Sequence, residues 1–210
     1  MIFNLDGVLI ATDRCHEQAW RDMAREMGIP FDGEIYRRMR GRKRMESLTE
    51  LLKKAERPFS PGETWALAAR KNDLFNDSIL SLGREAILPG AEDTLRALRE
   101  MGVKTAVASS SENASGLVRQ MKLDGLMDAV VDGEDVEMGK PDPEVLLLAA
   151  RKLRVPTCDC LVIENTLSGA QAARQAGMPL LLMGDEEGAQ APDLAGLNIP
   201  DLVRKSRNES

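Results

Sequence analysis

The sequence has few of the residues that mark several common protein classes. Of its 210 residues, three are cysteine, one is histidine and 3% are aromatic. An odd number of cysteines without zinc-like spacing predicts neither a disulfide framework nor a structural metal site. We interpret Cys158 and Cys160 as a buried structural pair, with a soft-metal site as the alternative. This cysteine usage fits a reducing cytoplasm.

Long apolar runs and an excess of basic charge are also missing. The longest apolar runs, such as residues 179–183, cover a few residues, whereas a helix that spans a bilayer needs roughly 20. A motif follows Met1-Ile2-Phe3 directly, so we expect no secretion signal. The net charge is −6, and acids and bases are mixed along the chain. We therefore expect a soluble, cytoplasmic monomer that binds neither membranes nor nucleic acids.

Apolar runs alternate with helical patterns from Gly90 onward, and this alternation predicts an α/β fold with a Rossmann-like parallel sheet. We predict a helix from Asp142, with Asp142 as N-cap and Pro143 in its first turn. A first short strand pairs beside 161–163 if the fold brings the two together. The predicted strands are 1–5, 103–108, 128–131, 161–163 and 180–183, and further helices are expected near 113–122 and 167–176. The tail after Asp185 is weakly patterned.

Residues 13–83 show helical patterns and no convincing strand. Helices are expected at 17–27, 44–54 and 60–82, the last opening with the capping box Ser60-Pro61-Gly62-Glu63. This segment interrupts the α/β pattern after its first strand. We therefore predict a core domain at 1–12 and 84–210 and an inserted all-helical cap at 13–83.

Four polar clusters follow predicted strands of the core. They are Asn4-x-Asp6, Ser109-Ser110-Ser111, Lys140-Pro141 and Glu164-Asn165. Parallel strands end at one edge of their sheet, and this edge is the usual ligand crevice of an open α/β sheet. Any one cluster could be a set of turn or cap residues. Four together favour a functional site.

The same clusters resemble the four motifs of the haloacid dehalogenase-like phosphotransferases. Residues 3–8 (Phe-Asn-Leu-Asp-Gly-Val) are similar to the first motif, usually Asp-x-Asp-Gly-Val, and residues 107–111 to the second. Residues 139–143 (Gly-Lys-Pro-Asp-Pro) are similar to the third motif, and residues 163–169 to the fourth. Order and spacing agree over the whole chain, whereas an isolated Asp-x-Asp would carry little weight.

The resemblance implies phosphoryl transfer through an aspartyl-phosphate. In the family the first-motif aspartate attacks phosphorus and the aspartate two residues later, here Asp6, is general acid and base. Ser109 and Lys140 would hold the phosphoryl oxygens. The catalytic positions are thus Asn4, Asp6, Ser109 and Lys140. A magnesium ion would be held at Asn4, Asp6, Glu164 and Asn165.

The helical segment contains His16-Glu-Gln-Ala-Trp20, Arg40-Gly41-x-x-Arg44 and Arg70-Lys71-Asn72-Asp73. These three stretches resemble the cap of β-phosphoglucomutases, which implies a small phosphorylated sugar as partner. Arg44 would grip a phosphate, a task that suits a planar guanidinium. Taken singly, Arg44, Lys71 and His16 could be ordinary helix residues. The substrate-binding positions implied are Thr12, His16, Trp20, Gly41, Arg44, Lys71, Asn72, Ser110, Ser111 and Asn113. The crossings at 12–14 and 82–84 are the expected hinges.

Two asparagines depart from the family pattern. Asn4 stands at the nucleophile position, where a carboxamide has no ionised oxygen to attack phosphorus. Asn165 stands at a metal-ligand position, so two negative charges are missing and magnesium binding should be weakened. Three explanations stay open: introduced substitutions, a natural non-catalytic relative, or residual chemistry that uses Asp6 or water.

Glu112 is a third departure, because β-phosphoglucomutases have a lysine at this position. An acid here would repel the second phosphate of a sugar bisphosphate, which favours a phosphatase over a mutase. Alternatively, Glu112 turns to solvent at a helix start. The leading hypothesis is an impaired magnesium-dependent sugar-phosphate mutase or phosphatase, and the competing one is a non-catalytic sugar-phosphate binder.

Overall fold

The sheet is parallel and five-stranded, in the computed structural model, which describes residues 1–184 and 186–208. The strands are β1 Ile2–Phe3, β2 Ala106–Ala108, β3 Ala129–Val131, β4 Val162–Glu164 and β5 Leu180–Leu182. Their order in the sheet is β3-β2-β1-β4-β5, so β1 lies at the centre. Ile2 pairs with Ala106 on one side and with Val162 on the other, which confirms the predicted pairing of the first strand.

Helices cover both faces of the sheet, and the predicted Rossmann-like α/β class is confirmed. One apolar cluster packs Phe3, Val107 and Ile163 beneath α5 and α6, and the other packs Ile2, Ala106 and Val162 beneath α7 and α8. The core helices are α5 Ala91–Glu100, α6 Ala114–Gln120, α7 Glu144–Leu153, α8 Leu167–Gln175 and α9 Ile199–Asn208. None of the helices in the described ranges is long and apolar enough to cross a membrane.

The segment between β1 and α5 is helical, as predicted. Its helices are α1 Asp13–Glu26, α2 Gly33–Met39, α3 Arg44–Leu52 and α4 Pro61–Ile79. Trp20, Met39 and Leu48 belong to an apolar cluster of their own, while Phe75 and Ile79 of α4 pack into the core cluster. We call this helical segment the cap; its limits at 13 and 83 stay a prediction, as do those of the core, of which Asp185 and residues 209–210 lie outside the described part.

Several local predictions need correction. The sequence does not predict α2, whose seven residues are too few for a clear periodic pattern, and it predicts neither α5 nor α9. Pro143, and not Asp142, precedes the first turn of α7, although the Asp142 carboxylate still accepts the Glu144 amide hydrogen. The predicted buried cysteine pair is wrong, because Cys158 is exposed and only Cys160 is buried. The Ser60–Glu63 capping box is confirmed.

Candidate functional site

The carboxyl ends of three adjacent strands bring the predicted catalytic residues together. Asn4 follows β1, Ser109 follows β2 and Glu164 ends β4. Lys140, in the connection from β3 to α7, extends between them. Its Nζ donates to Glu164 Oε1 at 2.6 Å, to Ala108 O at 2.8 Å and to Asn4 Oδ1 at 3.2 Å. The sheet topology thus brings Asn4 to residues that lie 105 or more positions further along the chain.

Lys140 and Glu164 form a buried ion pair, and the charged atoms of both side chains have hydrogen-bond partners. Their side chains are 1% and 0% exposed. The second oxygen of Glu164 accepts from the amide nitrogens of Asn165 and Thr166 at 2.6 and 2.9 Å, and from the Thr166 hydroxyl at 3.0 Å. Such a pair is tolerated in a protein interior only when the remaining polar atoms are satisfied, as they are here.

The oxygens at the predicted metal positions do not fit a magnesium ion. Asn4 Nδ2 donates to Asn165 Oδ1 at 2.9 Å and to the Asp6 carbonyl at 3.1 Å, so amide hydrogens point at two of those oxygens. Glu164 is neutralised by Lys140. Magnesium requires several oxygens that converge in octahedral geometry. Within residues 1–184 and 186–208, no group of three or more His, Cys, Asp or Glu side chains could hold a metal ion.

Asp6 is held as a carboxylate by hydrogen bonds. The Thr12 hydroxyl donates to Oδ1, His16 Nε2 lies 3.5 Å from the same oxygen, and the Ser109 hydroxyl lies 3.5 Å from Oδ2. Burial alone would raise the pKa of Asp6, but the interactions with His16 and Thr12 outweigh it and lower the pKa to about 2. At neutral pH Asp6 is therefore ionised.

A buried lysine of the cap reaches the same carboxylate through His16. Lys71 Nζ lies 2.9 Å from His16 Nδ1 and over the rings of Trp20 and Phe75, while the His16 ring stacks on Phe75 at 3.9 Å. Burial, and next the positive charge of Arg44, lower the pKa of Lys71 to about 7. Burial and Lys71 also lower the pKa of His16, so the imidazole is neutral and Lys71 donates to it.

We expect the affinity for a phosphorylated ligand to fall as pH rises from 7 to 9. Lys71 loses its proton in this window, and a dianionic phosphate favours the protonated form, so the dissociation constant should rise by up to about tenfold per pH unit. Calorimetric titration with glucose 6-phosphate, which is fully ionised above pH 7, measures this. The groups that face Lys71 are His16, Arg44, Asp6 and Glu112.

The variant Lys71→Met provides the comparison for that titration. Its affinity should be lower at pH 7 and nearly constant up to pH 9, because the group that loses a proton in this window is gone while burial, the larger cause of the lowered His16 pKa, remains. An equal slope for both proteins would show that Lys71 does not set the pH dependence. Lys152→Met, which removes a lysine from an exposed ion pair with Asp135, should retain the original slope.

The distal end of the site is closed by an ion pair between cap and core. Arg44 Nη1 lies 2.8 Å from Glu112 Oε2, and Arg44 Nη2 donates to Asn72 Oδ1 at 2.7 Å. Asn113 Nδ2 donates to the same Asn72 oxygen at 3.1 Å. Glu112 therefore turns into the site rather than out to solvent, and it occupies part of the guanidinium that the resemblance assigns to a phosphate.

A second contact joins the cap to the core beside Asn165. Gly41 has a φ of +79° and lies so close to α8 that a Cβ would come within 2.4 Å of Ser168 Oγ. The preceding residue, Arg40, bonds to the Asp13 carboxylate and accepts from Ser168 Oγ through its carbonyl at 2.8 Å. Asn165 Nδ2 donates to Asp13 Oδ2 at 3.1 Å. A glycine is required at 41 for this approach.

One cavity between cap and core collects most of the predicted site residues. Five further predicted residues support this lining without forming it. They are Thr12, Asn72, Lys140, Glu164 and Asn165. The predicted residues that line the cavity are Asn4, Asp6, His16, Trp20, Gly41, Arg44, Lys71, Ser109, Ser110, Ser111 and Asn113. The lining residues without a predicted role include Asp13, Tyr36, Arg40, Arg42 and Glu112. Of these, Glu112 carried a sequence signal through its departure from the family lysine, and Arg40 through the stretch that resembles the cap loop.

Comparison with known proteins supports the family resemblance that the four motifs indicate. A family model described as haloacid dehalogenase-like hydrolase matches residues 1–177. The β-phosphoglucomutase of Bacillus subtilis (strain 168) is 35% identical over 211 residues, which cover 100% of this chain and 93% of the relative. A phosphorylated carbohydrates phosphatase of Thermotoga maritima is 30% identical over 181 residues, covering 85% of this chain and 81% of the relative.

A solved structure is similar over nearly the same length. The crystal structure of β-phosphoglucomutase from Clostridium difficile matches with a TM-score of 0.90 and 30% identity, over 99% of this chain and 96% of that one. The family resemblance seen in the four motifs is thereby confirmed. The chain belongs to the haloacid dehalogenase-like hydrolase family, in which it is similar to phosphoglucomutases and sugar-phosphate phosphatases.

Proposed function

We propose that this chain is built for phosphoryl transfer on a small sugar phosphate and that Asn4 and Asn165 impair the transfer. The observation that carries the proposal is the position of Asn4, whose side chain lies between Lys140 and Asn165 and beside Asp6. A carboxylate at this position would be the nucleophile. The carboxamide has no ionised oxygen, so no phosphoenzyme can form there.

Asp6 and Ser109 line the same cavity, and Lys140 lies behind the lining, where it donates to Asn4. Asp6 accepts from the Thr12 hydroxyl and lies 3.5 Å from His16 Nε2, at the position that the family resemblance assigns to the general acid and base. Ser109 lies at the end of β2, and Lys140 supplies a fixed positive charge. The magnesium dependence implied by the family resemblance belongs to the variant Asn4→Asp/Asn165→Asp, because the present oxygens do not fit the ion.

The experiment that tests the function uses that double variant. Phosphate release with magnesium should be measured on a panel of hexose and pentose phosphates, including β-glucose 1-phosphate with its bisphosphate. Release or isomerisation of at least one sugar phosphate supports the proposal. A double variant that folds and stays at background on the whole panel contradicts it. The substrate that responds also separates a mutase from a phosphatase.

The competing function is sugar-phosphate binding without turnover. It is favoured by the self-contained hydrogen bonding of Asn4, together with the basic side chains that line the cavity. Calorimetry on the unmodified chain, with and without magnesium, tests it. Binding by a chain that releases no phosphate supports this function, and absence of binding removes it.

Glu112→Lys is expected to raise the affinity for a sugar bisphosphate by about tenfold or more, which corresponds to about 1.4 kcal/mol. The change frees the Arg44 guanidinium and adds a second cation at the distal end of the cavity. Calorimetric titration with glucose 1,6-bisphosphate and with glucose 6-phosphate measures the effect, which should be smaller for the monophosphate. Glu100→Lys, an exposed charge reversal on α5, is the control. An equal gain for both ligands would contradict the assignment of Glu112 to the distal end.

A further inference from the structure

The two asparagines belong to one directed chain of hydrogen bonds. Lys140 donates to Asn4 Oδ1, Asn4 Nδ2 donates to Asn165 Oδ1, and Asn165 Nδ2 donates to Asp13 Oδ2, over distances of 3.2, 2.9 and 3.1 Å. A lysine can only donate and a carboxylate can only accept, so both ends fix the direction of the amides between them. An aspartate at either position would place two acceptors against each other.

With these two amides the site has the same net charge as a site that contains two aspartates and a divalent cation. Two aspartates and a bound divalent cation sum to zero, and so do two asparagines without a cation. The carboxylates that remain have protein partners: Glu164 pairs with Lys140, Asp13 pairs with Arg40, and Asp6 accepts from Thr12. An incoming phosphate therefore meets no uncompensated pair of carboxylates that a cation would have to screen.

The cavity lining is suited to an anion even though the chain as a whole is acidic. Its basic side chains are Arg40, Arg42, Arg44 and Lys71, against the carboxylates of Asp6, Asp13 and Glu112. Three consecutive serines add hydroxyl donors beside Asn4. Inside a closed cleft such charges act more strongly than at an open surface.

We infer that this cavity binds a phosphate monoester without a divalent cation, because the amides of Asn4 and Asn165 replace the charge balance that a cation gives an aspartate pair. The ligand class rests on the proposed function. The absence of a cation requirement rests on the amide chain. Asn4 and Asn165 are therefore a matched pair, and the site is complete with both amides or with both aspartates and a metal.

Calorimetry with inorganic phosphate and with glucose 6-phosphate tests the inference, in EDTA and in excess magnesium. For the unmodified chain we expect dissociation constants equal within about twofold in both solutions, and no heat from magnesium alone. For Asn4→Asp/Asn165→Asp we expect the affinity to fall by about tenfold or more in EDTA, since two carboxylates then face the phosphate. The control Asn198→Asp retains a capping oxygen for Asp201 outside the cavity and should behave as the unmodified chain.

Two results would overturn the inference. One is an unmodified chain whose affinity improves more than about tenfold with magnesium. The other is an unmodified chain that binds neither ligand while the double variant binds with magnesium, which leaves the proposed function standing. If the double variant with magnesium also binds neither ligand, the proposed function fails as well.

Discussion

Changing Asn4 and Asn165 together to aspartate is expected to raise phosphate release by about a thousandfold or more over the unmodified chain. The gain combines a nucleophile with the ligand charge that a hard cation needs, and about 4 kcal/mol of transition-state stabilisation corresponds to that factor. The measurement is steady-state phosphate release, with magnesium, from the sugar phosphate of the panel on which the double variant is active.

The two single variants should fall far short of the double variant. Asn165→Asp alone still has a carboxamide at position 4, and it opposes two acceptors at the Asp13 end of the amide chain. Asn4→Asp alone supplies the nucleophile but removes the donor to Asn165. Residues that act as a unit are non-additive, so the double effect should exceed the product of the single ones. Equal activity of Asn4→Asp and the double variant would contradict the proposal that Asn4 and Asn165 act as a matched pair.

Lys140→Met is expected to lower the free energy of unfolding by about 3–5 kcal/mol. It leaves the carboxylate of Glu164, which is fully buried, without its cation, and an unpaired buried charge costs about this much. Urea denaturation at neutral pH measures the loss. Sugar-phosphate binding should be lost as well, because Lys140 is the cation nearest to Asn4.

A matched pair of variants separates burial from charge loss. Lys152→Met breaks an exposed pair with Asp135 and should cost less than about 1 kcal/mol. Adding Glu164→Gln to Lys140→Met removes the stranded charge and should recover a large part of the stability while binding stays lost. A Lys140→Met protein as stable as Lys152→Met would contradict the role assigned to the buried pair.

The sequence predicts the strand-end side of the site well. Asn4, Ser109 and Glu164 could be assigned to one edge because parallel strands leave no other arrangement for residues that follow them. Boundaries were less reliable: α1 begins at Asp13, four residues earlier than predicted, because the backbone of Thr12 already closes the first turn. The seven-residue helix α2 carries too short a periodic pattern to be recognised.

The residues on the cap side of the cavity could be predicted only through the family resemblance. The contacts that join the cap to the core could not be predicted from the sequence. Asp13 reads as an ordinary acid in the first turn of a helix, yet its partner Asn165 is 152 residues away. Glu112 could equally have faced solvent, and only the docking of α3 directs it to Arg44. Contacts of this kind depend on how two packed units meet, which local sequence patterns do not encode.

We propose that phosphoryl transfer stops at residue 4, where the carboxamide of Asn4 has no ionised oxygen, and that Asn165 weakens the metal site beside it. The most direct test is to incubate the unmodified chain and Asn4→Asp/Asn165→Asp with the reactive sugar phosphate and magnesium, quench both in acid, and measure their intact masses. We predict one added phosphoryl group on the double variant, mapped to residue 4 by fragmentation, and none on the unmodified chain. A phosphoryl group on the unmodified chain, or one at a different residue of the variant, would contradict the claim.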